Sequence, residues 1–445
     1  MTVFSSSFLL VAFLALFTPR VSPFAPRLST VSRRSAVVKA DAALSEEEAS
    51  QKRIDAIENL NEIIRATNEM TSAALFDMAT DPSEANPHVI VKTCQFELPL
   101  EKPIIKGGFP WKTPPFGTYE FDYEYSELSL AENPSTAVLL IHPIGVGIGR
   151  WYYNRLLQQL PKNQRSNHVF LVPDLLGSSS ACNPIICGHD SKKVSTTKLP
   201  LLTIDDWSSQ LVHLMQEYQE SHPHVTEWCV VANGGCATIR LDVSKQNILH
   251  QIPVTQLILS APPRLSGLLR ESPNPKKLSR TYYRTLLGLP GKLFWWYSLR
   301  NDGAFIQKFS EQNLAASPKT LGAYWRSQCV ESARCFQQRS KHSTFAFLAG
   351  ALQRNCQPYF DALADSKARV DVILPETTLS NGAQSWVWQK RKTTVTTSDE
   401  DLVSYLQRQK LGGDSRKVGG RRCVAHDDAI GFSNALLELL SGEES

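Results

Sequence analysis

Apolar side chains along residues 118–441 follow two spacings, one typical of strands and the other of helices. Near Thr118, aromatic residues at every second position alternate with acidic ones, which predicts a half-buried strand. Five later runs are mainly apolar without alternation, as expected for parallel strands that helices cover on both faces. These runs are residues 137–141, 168–172, 228–232, 257–260 and 370–374.

Helical spacing of apolar residues appears between these runs. It predicts a helix from Trp151 to Leu160, a helix capped by Thr203, and a closing helix that contains Phe432. Residues 265–367 have no strand pattern and are expected to be largely helical. Strands that alternate with helices, and are interrupted once by a helical block, predict a doubly wound, mostly parallel sheet with an inserted helical cap.

These patterns divide the chain into a targeting presequence, an N-terminal helix with a lead-in, a first part of the core, the cap, and a second part of the core. The N-terminal helix runs from about Glu46 to Thr71, and the lead-in is rich in Pro and Gly. The five segments are residues 1–42, 43–117, 118–264, 265–367 and 368–441.

Less regular stretches are predicted within the core. Residues 178–202 are expected to be a polar loop, and residues 376–420 a polar insertion with a short helix from about Asp399 to Lys410. Residues 421–425 are expected to be the last strand.

The N-terminus has the composition of a targeting sequence. An apolar run from Phe8 to Phe17 precedes Phe24-Ala-Pro26 and a Ser- and Arg-rich, acid-free stretch that ends at Lys39. This order resembles the bipartite presequence of algae with red-lineage plastids, so we expect a plastid-stroma protein. The alternative is a secretory signal followed by a pro-segment. No later apolar run is long enough for a transmembrane helix.

Net charge and cysteine content restrict the partners. The formal charge of +4 arises in the first 40 residues, which hold five basic residues and no acid. The rest of the chain is nearly neutral and does not favour nucleic acid as a partner. The nine cysteines include no Cys-x-x-Cys pair, which favours reduced thiols. The sequence indicates no cofactor and no metal site.

Four motifs follow one another in the first part of the core. Residues 142–147 (His-Pro-Ile-Gly-Val-Gly) and 173–177 (Pro-Asp-Leu-Leu-Gly) each follow a predicted strand. Residues 203–207 (Thr-Ile-Asp-Asp-Trp) begin a helix, and residues 228–238 form a strand with a tight turn that opens another helix. Together they resemble the α/β-hydrolase superfamily, in particular poorly characterised hydrolase-like proteins of cyanobacteria and chloroplasts. The resemblance implies a nucleophile elbow and a helical cap.

The elbow lacks the expected nucleophile. Aligned with the Gly-x-Ser-x-Gly-Gly motif of the superfamily, Asn233 precedes the nucleophile position, Gly234 occupies it and Gly235 follows it. Glycine has no side chain, so covalent catalysis at that position is impossible. A shift of the alignment makes Cys236 a candidate thiol nucleophile at a helix N-terminus. The alternative is that Cys236 is a small packing residue.

The other members of a catalytic triad are equally displaced. In the superfamily that the chain resembles, the catalytic histidine lies about ten residues before a phenylalanine of the last helix. Here that phenylalanine is Phe432, and the residue ten positions before it is Arg422. His426 lies four residues later and is the fallback base, although its neighbouring aspartates favour a capping role. Glu376 is the fallback acid, with a surface glutamate as the alternative.

The loop that would form the oxyanion hole is the best-preserved part. His142, Ile144 and Gly145 resemble the His-Gly loop of the superfamily, with Pro143 at its second position. His142 is expected to hydrogen-bond the turn rather than to act as a base, and Asp174 to bond the backbone. An aromatic cluster at residues 294–297 is expected in the cap core, or in the lining of an apolar pocket for an isoprenoid or acyl chain.

Three functions remain open. The first is a plastid protein with a degenerate triad that binds a small lipophilic ligand or a plastid protein without catalysis. The second is an ester or thioester hydrolase that uses Cys236, His426 and Glu376. The third is a nucleophile-free, lyase-type enzyme in which His142 and the loop amides act on the ligand.

Overall fold

The computed structural model describes twelve stretches of the chain. They all lie in the second of its two compact units, Ala79–Ser445. The presequence and the predicted helix from Glu46 to Thr71 lie outside these stretches. The stretches are residues 88–99, 117–160, 167–182, 185–188, 193–195, 201–250, 252–269, 275–316, 318–338, 340–365, 368–376 and 399–442.

One sheet organises the described residues, and it confirms the predicted doubly wound, mostly parallel arrangement. The parallel part has the order β10-β9-β8-β7-β3-β4. Strand β2 pairs antiparallel with β4 and β1, and the β5-β6 hairpin joins its first half. The strands are β1 Val89–Pro99, β2 Gly117–Ser129, β3 Thr136–Ile141, β4 His168–Pro173, β5 Ile185–Gly188, β6 Lys193–Ser195, β7 Glu227–Asn233, β8 Val254–Ser260, β9 Arg369–Pro375 and β10 Ser415–Val418.

Helices connect these strands, and a block of them separates β8 from β9. None of the described helices is both long enough and apolar enough to cross a membrane. The α-helices are α1 Asn154–Gln159, α2 Ile204–Ser221, α3 Ala237–His250, α4 Leu265–Leu268, α5 Pro275–Leu287, α6 Leu289–Leu299, α7 Ala304–Asn313, α8 Pro318–Gln338, α9 Lys341–Leu348, α10 Gln357–Ala364, α11 Asp399–Arg408, α12 Val424–Asp427 and α13 Ala429–Ser441.

The predicted core elements are present because apolar surface covers both faces of the central strands. The side chains of β3 from Ala137 to Ile141 are fully buried, as are those of β7 from Val230 to Ala232. Thr203 and Asp206 form a capping box that starts α2. The closing helix α13 buries Phe432 against the core. The helix predicted at Asp399 is also confirmed, as α11.

Strand β1 lies in the stretch that we expected to be an irregular lead-in. It pairs with β2 along its whole length, from Val89 opposite Leu128 to Pro99 opposite Thr118. Its sequence alternates the buried Cys94, Phe96 and Leu98 with exposed residues. The period of two was therefore present, but prolines and glycines around it obscured the strand.

Two further expectations are wrong. The last strand is β10, inside the predicted polar insertion, whereas residues 421–425 end in the first turn of α12. Only Val418 of β10 is buried, so this edge strand has no apolar run to reveal it. The stretch 178–202 contains a 3-10 helix, Ser179–Cys182, and the β5-β6 hairpin rather than loop alone.

Candidate functional site

The candidate site lies where the central parallel strands end. Strand β3 has β4 on one side and β7 on the other, so the connections leave it in opposite directions. In open α/β sheets, ligands bind at the carboxyl ends of the strands at such a switch point. The segments that start there are the loop 142–147 after β3 and the turn 233–236 after β7.

The turn after β7 has the backbone of a nucleophile elbow. Strand β7 ends at Asn233, a 3-10 turn covers Gly234–Cys236, and α3 begins at Ala237. Gly234 has a φ of +58°, in the left-handed region that costs other residues about 1–2 kcal/mol. A Cβ atom built on Gly234 would meet no heavy atom within 4 Å. The turn therefore keeps the shape and the space for a nucleophile but has no side chain there.

An apolar surface lies beside the elbow. A Cβ atom on Gly235 would be 3.6 Å from Leu352 Cδ1 and 3.8 Å from Phe347 Cε2, both in the helical block after β8. Leu352 is buried, whereas the side chain of Phe347 is 41% exposed. Gly234 and Gly235 are themselves partly accessible. The partly accessible backbone of the elbow thus lies next to the apolar side chains of Phe347 and Leu352.

Asn233 connects three parts of the fold at the elbow. It lies opposite Ser260 in the β7-β8 register, and the Ser260 hydroxyl donates to Asn233 Oδ1 over 3.1 Å. Asn233 Nδ2 donates to the Arg422 carbonyl oxygen, also over 3.1 Å. The side chains of Asn233 and Ser260 are buried. This network fixes the loop that carries Arg422 against the elbow. The resemblance described above predicts a histidine at this position.

Arg422 offers a cation at this position instead of an imidazole. Burial and the neighbouring Arg421 lower the pKa of its guanidinium from the usual value. Its backbone nitrogen donates to the Leu314 carbonyl, but its side chain makes no hydrogen bond or ion pair with any residue that the structure describes. A protonated guanidinium is not a general base, so the position cannot accept a proton from a nucleophile.

His142 is bound on both sides. The Leu175 amide donates to His142 Nε2 over 3.1 Å, so the ring proton lies on Nδ1, which donates to the Pro143 carbonyl over 2.9 Å. Burial lowers the pKa of His142 and keeps the ring neutral. The arrangement is the turn-bonding role expected for His142, and it leaves no free lone pair for a substrate proton.

Asp174 also has the expected backbone partners. Its Oδ1 accepts a hydrogen bond from the Arg150 amide over 2.8 Å, and its Oδ2 accepts one from the Ser180 hydroxyl over 2.7 Å. The carboxylate is fully buried and holds the loop after β3 against the turn after β4. It is therefore part of the scaffold of the site.

The helical block also holds the loop 142–147 after β3 in place. Thr344 in α9 donates its hydroxyl proton to the Gly145 carbonyl over 2.8 Å. Gly147 has a φ of +69°, and a Cβ atom on it would lie 1.8 Å from the Cys329 carbonyl oxygen of α8. Only glycine permits this close approach. The loop is thus held by direct contacts to two helices of the block.

Cys236 lies just after the elbow with its thiol in the core. Burial raises the pKa of this thiol to about 12, although the Ile144 amide contacts the sulfur and acts in the opposite direction. At neutral pH the group is therefore protonated. Its side chain is buried and its sulfur contacts the loop after β3, which agrees with the packing role considered from the sequence.

His426 lies in the single turn of α12, inside an aromatic cluster. Its ring is 4.8 Å from that of Trp325 and is stacked at 6.3 Å on that of Tyr324. Burial and the neighbouring Arg155 hold the pKa of His426 well below its usual range. The following Asp428 caps α13 by accepting a hydrogen bond from Gly431. The four rings of the cluster belong to Trp151, Tyr152, Tyr324 and Trp325.

The fallback triad does not assemble in this structure. Glu376 follows β9, is exposed, and donates its backbone amide to the Val418 carbonyl. Cys236, His426 and Glu376 share no hydrogen bond or ion pair in the described part of the chain. The aromatic cluster at 294–297 is divided between two environments. Phe294 and Trp295 are buried, whereas the next two residues, Trp296 and Tyr297, are exposed.

Sequence reasoning missed three residues that build the site. Ser260 carried a usable signal, because it ends the strand next to Asn233 and polar residues at adjacent strand ends meet. Phe347 and Leu352 carried no such signal in the sequence. They lie more than 100 residues from the elbow, in a helical block whose packing no local pattern specifies.

Comparison with known proteins supports the fold and no more. No protein-family model matches the sequence, and no curated protein is similar to it. The peroxisomal α/β-hydrolase Lpx1 from Saccharomyces cerevisiae aligns with 81% of this chain and 92% of its own, at 11% identity and a TM-score of 0.50. The epoxide hydrolase CorEH aligns with 79% of this chain and 99% of its own, at 12% identity and a TM-score of 0.46.

A third solved structure is the haloalkane dehalogenase DbeA from Bradyrhizobium elkani, which aligns with 79% of this chain and all of its own at 13% identity and a TM-score of 0.44. Sequence identities this low show a shared architecture and give no information on activity. The strand order β1-β2-β4-β3-β7-β8-β9-β10, with its elbow after β7, belongs to the same architecture. The chain has the α/β-hydrolase fold.

Proposed function

We propose that this protein binds a small ligand at a nucleophile elbow that has lost its nucleophile. The observation that carries the proposal is the backbone at Gly234. It keeps the left-handed φ of the elbow and open space above it, without a side chain that can attack. Arg422 at the histidine position supports the same conclusion, because it supplies no base.

The surroundings favour a lipophilic ligand with a polar end. Phe347 and Leu352 offer apolar contact beside Gly235. The backbone of the elbow is accessible and begins a helix, which suits an acceptor oxygen such as that of a carboxylate. A fatty acid or an isoprenoid acid has both features. A plastid protein partner is the alternative occupant.

The proposed location is the plastid stroma. It rests on the presequence alone, in which the Phe24-Ala-Pro26 motif separates an apolar run from a basic, acid-free stretch. A secreted protein is the alternative.

Each catalytic alternative needs a side chain whose protonation or hydrogen bonding differs from that in the structure. The hydrolase needs a thiolate at Cys236, whereas burial keeps that thiol protonated. The lyase needs a free nitrogen on His142, whereas the Leu175 amide already donates to Nε2. Non-covalent binding requires neither change.

Binding of a fluorescent long-chain fatty acid tests the proposal. We expect saturable binding, and we expect Phe347→Ser to weaken it at least about tenfold, because contact with a phenyl ring contributes roughly 1.5–3 kcal/mol. Fluorescence titration of the purified chain measures both. The matched control is Ile90→Ser in β1, which also removes an exposed apolar side chain, since Ile90 is 55% and Phe347 41% exposed. No saturable binding, or equal loss in both variants, would contradict the proposal.

Gly234→Ser tests whether the elbow alone supports chemistry. We expect a folded protein that is destabilised by about 1–2 kcal/mol, because serine is strained at this φ. We expect no gain in hydrolysis of a chromogenic ester, because Arg422 cannot activate the hydroxyl. The measurements are chemical denaturation and an esterase assay.

The matched control is Gly442→Ser after α13, where φ is +67° and a Cβ atom also meets nothing within 4 Å. It should cost similar stability. Rapid ester turnover by Gly234→Ser, absent from the control, would mean that a working base lies near the elbow.

Two of the buried histidines, His142 and His426, predict how stability depends on pH. Burial lowers the pKa of both His142 and His426, so the unfolded chain takes up their protons first as the pH falls below about 6.5. The free energy of unfolding should therefore be highest above this pH and decrease below it. Denaturation series between about pH 5 and pH 8 measure the decrease.

His426→Phe should flatten this decrease by up to about 1.4 kcal/mol per pH unit, because phenylalanine keeps an aromatic ring in the cluster but does not titrate. The control is His88→Phe, at an exposed histidine before β1. If His426→Phe leaves the slope unchanged, His426 is not a buried neutral side chain.

A further inference from the structure

A second cluster of reactive side chains lies between strand β1 and helix α2. It consists of Cys94 in β1 with His213 and Glu217 in α2, and it takes no part in the site at the elbow. The Cys94 Sγ, a His213 ring nitrogen and a Glu217 carboxylate oxygen all lie within 4.8 Å of one another. Thiolate, imidazole and carboxylate are the three ligand types that zinc accepts in proteins.

Two distances within the cluster are close to the edges of a coordination tetrahedron. Cys94 Sγ lies 3.0 Å from Glu217 Oε2, and His213 Nε2 lies 3.6 Å from the same oxygen. Zinc bonds of about 2.0–2.3 Å in tetrahedral geometry place neighbouring ligand atoms roughly 3.3–3.5 Å apart. Small side-chain rotations are therefore enough to bring the three atoms to bonding distance of one ion.

The backbone supplies a fourth oxygen at the same place. The Gln95 carbonyl oxygen lies 2.9 Å from His213 Nε2 and 3.7 Å from Cys94 Sγ. His213 and Glu217 are one helical turn apart, so both project from one face of α2 towards β1. The donor atoms thus come from two rigid elements rather than from a loop.

We propose that Cys94, His213 and Glu217 bind one zinc ion, with the Gln95 carbonyl or a water molecule in the fourth position. Binding replaces the hydrogen bonds that Cys94 gives to Glu217 and that His213 makes with Gln95. The thiol releases its proton to solvent as the sulfur–zinc bond forms, and the zinc charge compensates the thiolate and the carboxylate.

The position of the cluster gives the ion a structural role. Strand β1 pairs with β2 alone in the described sheet, and α2 covers this side. An ion held by both elements would fasten β1 to the helix. Phe96 packs beside the His213 ring, with 5.7 Å between their centroids, and shields one side of the cluster. The side chains of His213 and Glu217 remain partly exposed, which leaves a path for the ion.

Metal titration of the purified chain after treatment with a chelator tests this proposal. We expect one zinc ion per chain and competition between zinc and cobalt(II) for the same site. We expect the cobalt(II) form to show the visible bands of tetrahedral coordination and a near-ultraviolet thiolate-to-cobalt band. Zinc should also raise the unfolding temperature, because it binds the folded chain.

Variants assign the ligands. Cys94→Ser should abolish the thiolate band, and Glu217→Gln should weaken zinc binding by more than the roughly 10–100-fold that changes around a metal site cost. Glu217 is exposed, so this variant keeps the fold. The controls are Cys182→Ser and Glu220→Gln, which make the same changes outside the cluster and should bind zinc as the parent does.

Absence of stoichiometric binding would overturn the proposal, and so would a cobalt(II) spectrum without a thiolate band. Equal weakening in the cluster variants and the controls would overturn it as well. None of these outcomes bears on the ligand proposed for the elbow, because no residue is shared between the two sites.

Discussion

The left-handed backbone at Gly234 is the constraint on which the site depends. A strand that ends at the centre of a parallel sheet must turn at once into the helix that covers it, and this turn needs a positive φ. Asn233 is consequently drawn into the core, where it joins Ser260 to the loop that carries Arg422. The loop after β3 is fixed in turn by His142 and by the helical block. The turn after β7 and the loops around it are therefore held in place by contacts that do not depend on a reaction.

A glycine at the elbow has a physical benefit in this fold. A serine or cysteine at an elbow is held in a strained conformation, which a working enzyme tolerates for the sake of the reaction. Glycine at position 234 has no such strain and so releases about 1–2 kcal/mol. The other groups considered for catalysis make structural contacts. The His142 ring bonds a turn, the Cys236 thiol is buried, and the His426 ring lies among aromatic side chains. The non-covalent binding proposed above requires none of these groups to react.

Sequence reasoning reached the central strands and the elbow because both depend on local pattern. Continuous apolar runs identify β3 and β7, and the small residues around Gly234 identify the turn. The edge strand β10 was missed because only Val418 of its residues is buried. The side chains beside the elbow and the cluster around Cys94 were out of reach for a different reason. Cys94 and Glu217 are 123 residues apart, and only the pairing of β1 with β2 and the packing of α2 bring them together.

Covalent labelling tests most directly whether the elbow has lost its chemistry. The purified chain would be treated at neutral pH with a fluorophosphonate and, separately, with iodoacetamide, and the modified residues would be mapped by mass spectrometry against a Cys236→Ser control. We expect no fluorophosphonate adduct at the elbow. We also expect iodoacetamide to label Cys236 no faster than other buried thiols, because burial raises the pKa of Cys236 to about 12. Fast and selective modification of Cys236 would contradict this expectation and would show that the elbow carries a working thiol nucleophile.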